Sequence, residues 1–233
     1  MVQFTEFDEK RNFEDGVPVL LDGLRIECEK VTAELAAKYN WSNTDFRVVT
    51  FHRLRNVIQS VLAARIFQYS IFPNSNFWQA FFIRVPSTDE MEDHFRELDT
   101  MIRFVAFQGI FSALESDVRE LVRRIDPEAC SRGRANFDGV TRWILPRAVT
   151  ATQYSDFLEI IRLTRNTIHN NGVHRPQNGQ SSEITWNGRT CRFDDDKPIE
   201  FADWPFVAFI AKETLGFLRC LVQEKIVVEL PSD

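Results

Sequence analysis

Apolar residues recur at three- and four-residue steps over most of this chain, the spacing that lines one face of an α-helix. One such run goes from Val17 to Tyr39 and a second from Thr44 to Phe72. Between them Trp41-Ser42-Asn43 offers small polar residues suited to a turn and a cap, so the two runs predict an antiparallel helical pair. Pro73-Asn74-Ser75-Asn76 and Val85-Pro86 bracket an aromatic stretch, Phe77 to Ile83, for which a short strand and a turn of helix are both open. Ser87-Thr88-Asp89-Glu90 has the form of a capping box, with Ser at the cap and Glu three residues on. It opens a long helix to Ile125 whose core stripe is Phe104, Phe107, Ile110, Phe111, Leu114, Val118, Leu121, Val122 and Ile125. Glu115 and Arg119 on that helix are spaced as an ion pair, either at the surface or as a buried strut. Asp126-Pro127 ends it, Ser131-Arg132-Gly133 reads as a loop, and Phe137 to Leu145 is a shorter helix stopped by Pro146.

Thr150 or Ser155 starts the next helix, which runs into Asn170-Asn171-Gly172. A loop from Val173 to Ser182 then leads to Glu183 through Phe193, where alternating residues around Asn187-Gly188 predict a β-hairpin. A lone two-stranded unit contributes little stability, so this hairpin is expected to be peripheral to folding. Phe201 to Val228 is a closing helix with Asp203 as its cap and Pro205 in its first turn. The predicted fold class is all-α: a helical bundle of four or five main helices with a small hairpin, residues 183–193, inserted before the last helix. The 233 residues, 44% hydrophobic with only 9 Gly and 9 Pro, suit a single domain over 1–233 with one sizeable core, residues 1–16 being a loosely ordered N-terminal segment.

Aromatic composition sharpens that core. The chain has 21 Phe and 5 Trp against 3 Tyr and 3 Met, so large rings on helices are read first as packing. Cys28, Cys130, Cys191 and Cys220 show no paired spacing, hence no disulfide framework or metal motif. The stretch from Met1 to Glu9 lacks the regions of a signal peptide, and no apolar run approaches a membrane span. A reduced, soluble, cytoplasmic protein without membrane contact is expected.

Charge singles out the middle of the chain. Residues 1–100 carry 11 basic and 16 acidic side chains, residues 101–175 carry 11 and 8, and residues 176–233 carry 6 and 10, giving −5, +3 and −4. Every basic residue of the positive segment is Arg, and no Lys lies between Lys38 and Lys197. The overall charge of −6 argues against tight non-specific binding along a duplex, which needs many phosphate contacts. A local Arg-lined groove for a short single-stranded or structured RNA is compatible with it. Arg119, Arg123 and Arg124 are read as solvating a helix face.

Within that segment the run Ile160-Ile161-Arg162-Leu163-Thr164-Arg165-Asn166-Thr167-Ile168-His169-Asn170-Asn171-Gly172 carries the candidate chemistry. At roughly 100° per residue, Arg162, Arg165, Asn166 and His169 share an arc of about 100° while Phe157, Ile160, Ile161, Leu163 and Ile168 cover the remainder. Two guanidiniums beside an imidazole suit a phosphate: Arg is a permanently charged fork of donors, and His exchanges a proton near neutral pH. Arg and His close to a helix C-terminus also satisfy its last carbonyls, and Asn-Asn-Gly is an ordinary stop. Capping accounts for His169 but not for Arg162, almost two turns earlier.

Arg165-Asn166-Thr167-Ile168-His169-Asn170-Asn171-Gly172, on the penultimate long helix of an all-helical chain, resembles the signature of the HEPN superfamily. That signature is an Arg, four to six residues and a His, with a polar residue, often Asn, directly after the Arg. Six residues separate Arg162 from His169, but Leu163 follows Arg162; Arg165 is followed by Asn166 but only three residues separate it from His169. The resemblance implies metal-independent endoribonuclease activity without a cofactor, in a defence or toxin–antitoxin context, or a nucleotide- or protein-binding relative without cleavage. In a cleaving version the ribose 2′-OH attacks the adjacent phosphate and leaves a 2′,3′-cyclic phosphate. His169 is then the acid/base group, Arg162 or Arg165 neutralises charge on the phosphoryl oxygens, and Asn166 orients the His or the phosphate. Asn166 favours Arg165 as the catalytic Arg. Asn170, Asn171, His174 and Arg175 are candidate RNA or phosphate contacts. The family's pairing of two motifs implies a homodimer, and a regulatory partner protein is a further implication.

Rival sites are weaker. His169 and His174 straddle Asn-Asn-Gly without a matching carboxylate or Cys at ligand spacing, so no metal site is expected. Asp194-Asp195-Asp196 reads as a solvated turn, and Arg53-Leu54-Arg55-Asn56 as a structural or at most phosphate-contacting face, with no His at motif distance.

Overall fold

The computed structural model describes residues 16–81, 84–130, 136–176 and 178–232. Residues 1–15 and the expected loop at Ser131-Arg132-Gly133 lie outside the described residues. The all-α expectation holds. Helices α1 (Val17–Tyr39), α2 (Phe46–Ser70), α3 (Ser75–Phe81) and α4 (Thr88–Ile125) are followed by α5 (Phe137–Ile144) and α6 (Ser155–His169). Strands β1 (Val173–His174), β2 (Ser182–Trp186), β3 (Arg189–Phe193) and β4 (Lys197–Pro198) then precede α7 (Trp204–Val222) and α8 (Lys225–Val228).

Local chemistry accounts for the ends. Asn40 takes the left-handed conformation that ends α1, and Asp45, rather than Ser42 or Asn43, caps α2 by accepting from the Arg47 backbone N–H at 3.0 Å. The capping box before α4 is present, with the Ser87 N–H donating to Glu90 Oε2 at 2.8 Å. The aromatic stretch after Pro73 is helical as far as Phe81, with Trp78 buried beside Phe72, Met91 and Phe95 in a small satellite core.

The main core runs between α1, α2, α4 and α7, with α6 seated against α4 and α5. Arg53 donates to the fully buried Asp117 on α4 at 2.6 Å, and Arg55 turns to Asn56 and Glu29, so the Arg-Leu-Arg-Asn face is structural. Glu115 and Arg119 form a half-buried pair at 2.8 Å. Arg124 binds Glu120 and lies over the Phe46 ring, which gives it a packing role beyond solvation.

Three expectations are corrected. Phe104 is 47% exposed, because it sits at the edge of the α4 stripe, where it borders a shallow chamber of about 230 Å³ with Ile168 and Ile199. The closing helix is not continuous to Val228: it stops at Val222, and Glu224 takes an extended conformation. There its carboxylate accepts from the Thr150 and Ala151 backbone N–H groups at 2.6 and 3.3 Å, an attachment that a straight helix would not reach.

The third correction concerns the hairpin. Its turn is as read, with Asn187 and Gly188 both at positive φ and Trp186 paired with Arg189. It is not peripheral. Cys191 and Phe193 are fully buried in the main core, and Trp186 packs on Tyr154 at 5.2 Å while its indole N–H donates to Glu213 on α7 at 2.7 Å. An unforeseen second ladder, Val173 with Pro198 and His174 with Lys197, closes the base of the insertion. The pairing pattern of a hairpin says nothing about what its inner face meets, and here that face meets α6 and α7. Phe193→Ala should therefore cost about 3–5 kcal/mol, read as a lower urea midpoint at unchanged m-value; a change below about 1 kcal/mol would return the hairpin to the periphery.

Candidate functional site

Helix α6 is oriented by its apolar side. Phe157, Leu158, Ile160, Ile161, Leu163, Thr164 and Thr167 are buried, which leaves Arg162, Arg165 and Asn166 half-buried and His169 exposed. The helix ends as the Asn-Asn-Gly stop requires. Asn170 closes the last turn, Asn171 (φ 56°) and Gly172 (φ 82°) take left-handed conformations, and the Gly172 N–H donates to the Thr167 carbonyl at 2.9 Å. Asn171 serves the turn and lines neither of the two recesses beside the helix.

Arg162, Asn166, His169, Asn170, His174 and Arg175 line one groove of about 620 Å³. Arg165 is not among its walls. It faces a second recess of about 220 Å³, formed with Glu115 on α4, Asp138 on α5 and the rings of Phe111 and Phe137. Arg162 and Asn166 belong to both, so they form the ridge between them.

The two arginines differ in what holds them. Arg162 is clasped by Glu159, Nε to Oε2 at 2.7 Å with Nη2 on the other oxygen, and this hydrogen bonding keeps its charge even more firmly than usual. Arg165 pairs with no carboxylate among the described residues. Its Nη1 reaches Asn166 Oδ1 only at 3.4 Å, its buried Nε has no partner, and its guanidinium stands 5.5 Å from the Phe111 ring centre. Arg175 is held by Asp196 at 3.0 Å in an exposed pair.

His174, a candidate RNA or phosphate contact, is buried in the wall of the groove. The β1–β4 ladder folds it back onto α6, where it is 2% exposed, with Nδ1 3.3 Å from Thr167 Oγ1 and Nε2 without a partner. Burial pushes its pKa below the ordinary 6.5, with the Arg162 charge adding to the effect against the opposing pull of Asp195. His169 is accordingly the one exposed imidazole on the groove.

Glu159 carried a readable signal, its i,i+3 spacing to Arg162; Glu115, Asp138 and Asp196 carried none, since they come from distant elements. The Asp194–Asp196 run is a salt-bridged turn, Asp194 to Arg192 and Lys197 and Asp196 to Arg175. No helix among the described residues is long and apolar enough to cross a membrane. No protein-family model, curated protein or solved structure matches this chain.

Because the His174 pKa is lower in the folded protein than in the unfolded chain, its neutral form contributes stability in full above pH 6.5, and this is lost as pH falls through the folded value. NMR titration should place the His174 midpoint below 6.5, and His174→Gln should flatten the stability loss on acidification. A midpoint at or above 6.5 would show the imidazole open to the groove.

Proposed function

We propose that this protein is a HEPN-like endoribonuclease whose catalytic groove runs along α6. The observation that carries the reading is the shared groove of Arg162, Asn166 and His169, with a carboxylate-free Arg165 on the adjoining side of the same ridge. RNA lies across the ridge with its reacting phosphate against the arginines. His169 takes the proton of the attacking 2′-OH or returns one to the leaving 5′-oxygen, Arg165 neutralises the phosphoryl oxygens, and Asn166 orients the phosphate. Arg162, already clasped by Glu159, positions more than it neutralises. The proposed chemistry uses no metal ion and leaves a 2′,3′-cyclic phosphate.

The groove holds one exposed imidazole, His169, which supports one proton transfer at a time. The proposal therefore includes a two-fold homodimer in which a second copy of His169 supplies the other role. The Glu159 clasp favours a second reading, a non-catalytic nucleotide- or protein-binding module in which Arg162 serves only to hold the ridge. A defence or toxin role with a regulatory partner protein follows from the resemblance to the family.

Two outcomes are expected. Light scattering over a concentration series should show a dimer at tens of micromolar; a monomer throughout would remove the second imidazole and weaken the nuclease reading with it. In single-turnover cleavage of labelled single-stranded RNA in EDTA, His169→Ala should lose about 10²- to 10⁴-fold in rate with little change in binding. Arg165→Ala should act mainly on rate and Arg162→Ala mainly on binding, each with an unchanged melting curve. Cleavage that survives His169→Ala sinks the mechanism, and a verified dimer that cleaves no RNA leaves the binding module.

A further inference from the structure

A buried threonine within a helix can satisfy its hydroxyl on the carbonyl four residues earlier. Thr32, Thr50, Thr141 and Thr167 all do so, donating to the carbonyls of Cys28, Phe46, Phe137 and Leu163 at 2.6, 3.1, 2.8 and 2.9 Å. Thr164 does not. It is fully buried on α6, and its Oγ1 has no hydrogen-bond partner among the described residues. Thr214 on α7 shares that state but borders none of the three recesses around α6. Thr164 lines the chamber of about 230 Å³ between α4, α6 and α7, where Phe104, Phe107, Phe206, Ile168 and Ile199 make much of the remaining wall. The other polar side chains of that wall are committed: Arg103 donates to the Ala202 carbonyl at 2.8 Å and pairs with Asp99 at 2.9 Å, and Thr100 Oγ1 accepts from Arg103 at 3.3 Å. An unpaired buried hydroxyl is costly, and this one stands at the wall of an apolar space large enough to hold a partner for it.

We infer that this chamber is a binding site for a small neutral ring carrying one hydroxyl group, with the ring against the apolar wall and its hydroxyl paired with Thr164 Oγ1. Size sets the first limit. An apolar cavity of about 150 Å³ takes one benzene molecule, so the chamber has room for a single six-membered ring and its substituent. Polarity sets the second, because one unpaired hydroxyl in the wall matches one polar group on the ligand. Charge sets the third: Arg103 is already neutralised by Asp99, so a carboxylate or ammonium entering the chamber would lose its hydration without a counter-charge. Phe104, 47% exposed, borders the open side through which such a ring enters. Thr164 lies on the other side of α6 from Arg162 and Asn166, so this site is separate from the phosphate groove and stands whether or not the groove takes RNA.

Isoleucine-methyl NMR of the full chain tests this, with Ile168 and Ile199 followed as phenol, benzene or benzoate is added. Phenol should shift both methyls and bind about three- to tenfold tighter than benzene, the worth of one hydrogen bond, and benzoate should bind weakest. Thr164→Val keeps the side-chain shape and removes the hydroxyl. It should lower phenol to the affinity of benzene, leave benzene unchanged, and melt at or above the unmutated protein without ligand, since an unpaired group is gone. Ile199→Phe, which fills the chamber, should abolish the binding of both rings at Ile168 with a cooperative melt retained. Equal affinities for phenol and benzene, or a phenol affinity that Thr164→Val leaves unchanged, overturn the hydroxyl contact and the ligand class with it. Benzoate bound as tightly as phenol overturns the exclusion of charge, and no shift at either methyl in millimolar phenol overturns the site.

Discussion

Everything proposed for this protein depends on the rotational setting of one helix. Seven side chains of α6 are buried against α4, α5, α7 and the hairpin, five of them large and apolar, and burial of such a group is worth about 1.5–3 kcal/mol. A helix anchored on so much of its circumference has one orientation available. Its remaining arc, Arg162, Arg165, Asn166 and His169, is turned outward by exclusion, so the buried side of the helix sets where the polar stripe faces.

That setting is reinforced at the C-terminal end. The left-handed Asn171 and Gly172 reverse the chain, and the β1–β4 ladder returns it against the same helix. The consequence is a difference in exposure between two histidines five residues apart. His174 is folded under and kept neutral by burial, while His169 stays in the groove. The hairpin adds to this: Phe193 lies beside His174 with ring centres 5.4 Å apart and planes tilted, and Trp186 is latched to Glu213, so the insertion braces α6 and α7 together.

Most of the arginines among the described residues are paired with carboxylates, and the buried ones hold elements together. Arg47 is fully buried between the Trp41 and Phe46 rings, paired with Asp45 and bonded to the carbonyls of Val227, Val228 and Leu230, so it fastens the C-terminal segment to the start of α2. Arg65 likewise joins Asp99 and Gln68 beneath Trp204, and Arg189 ties the hairpin to the Asp203 cap of α7. A buried guanidinium needs several acceptors to offset its lost hydration, and each of these has them. The positive charge of residues 101–175 is therefore a poor guide to a binding surface, because Arg103, Arg119, Arg124 and Arg142 are each spent on a carboxylate. Arg165 stands out only once those pairings are known.

Sequence by itself determined what local periodicity and capping control. The five long helices, the Ser87–Glu90 box, the Asp203 cap, the Asn187-Gly188 turn and the Asn-Asn-Gly stop all follow from interactions within a few residues of each position. So does the grouping of Arg162, Arg165, Asn166 and His169, which needs only 3.6 residues per turn. Tertiary structure decided the rest, because each remaining question turned on a partner far away in the chain. Glu224 breaks the closing helix because Thr150 and Ala151 wait for its carboxylate, Phe193 joins the core because α6 and α7 meet it, and His174 is buried because Lys197 pairs across from it. The same holds for the split of the stripe into two recesses: Arg165 parts from His169 because Glu115 and Asp138, from two other helices, stand on its side of the ridge, and no spacing within α6 records where they are.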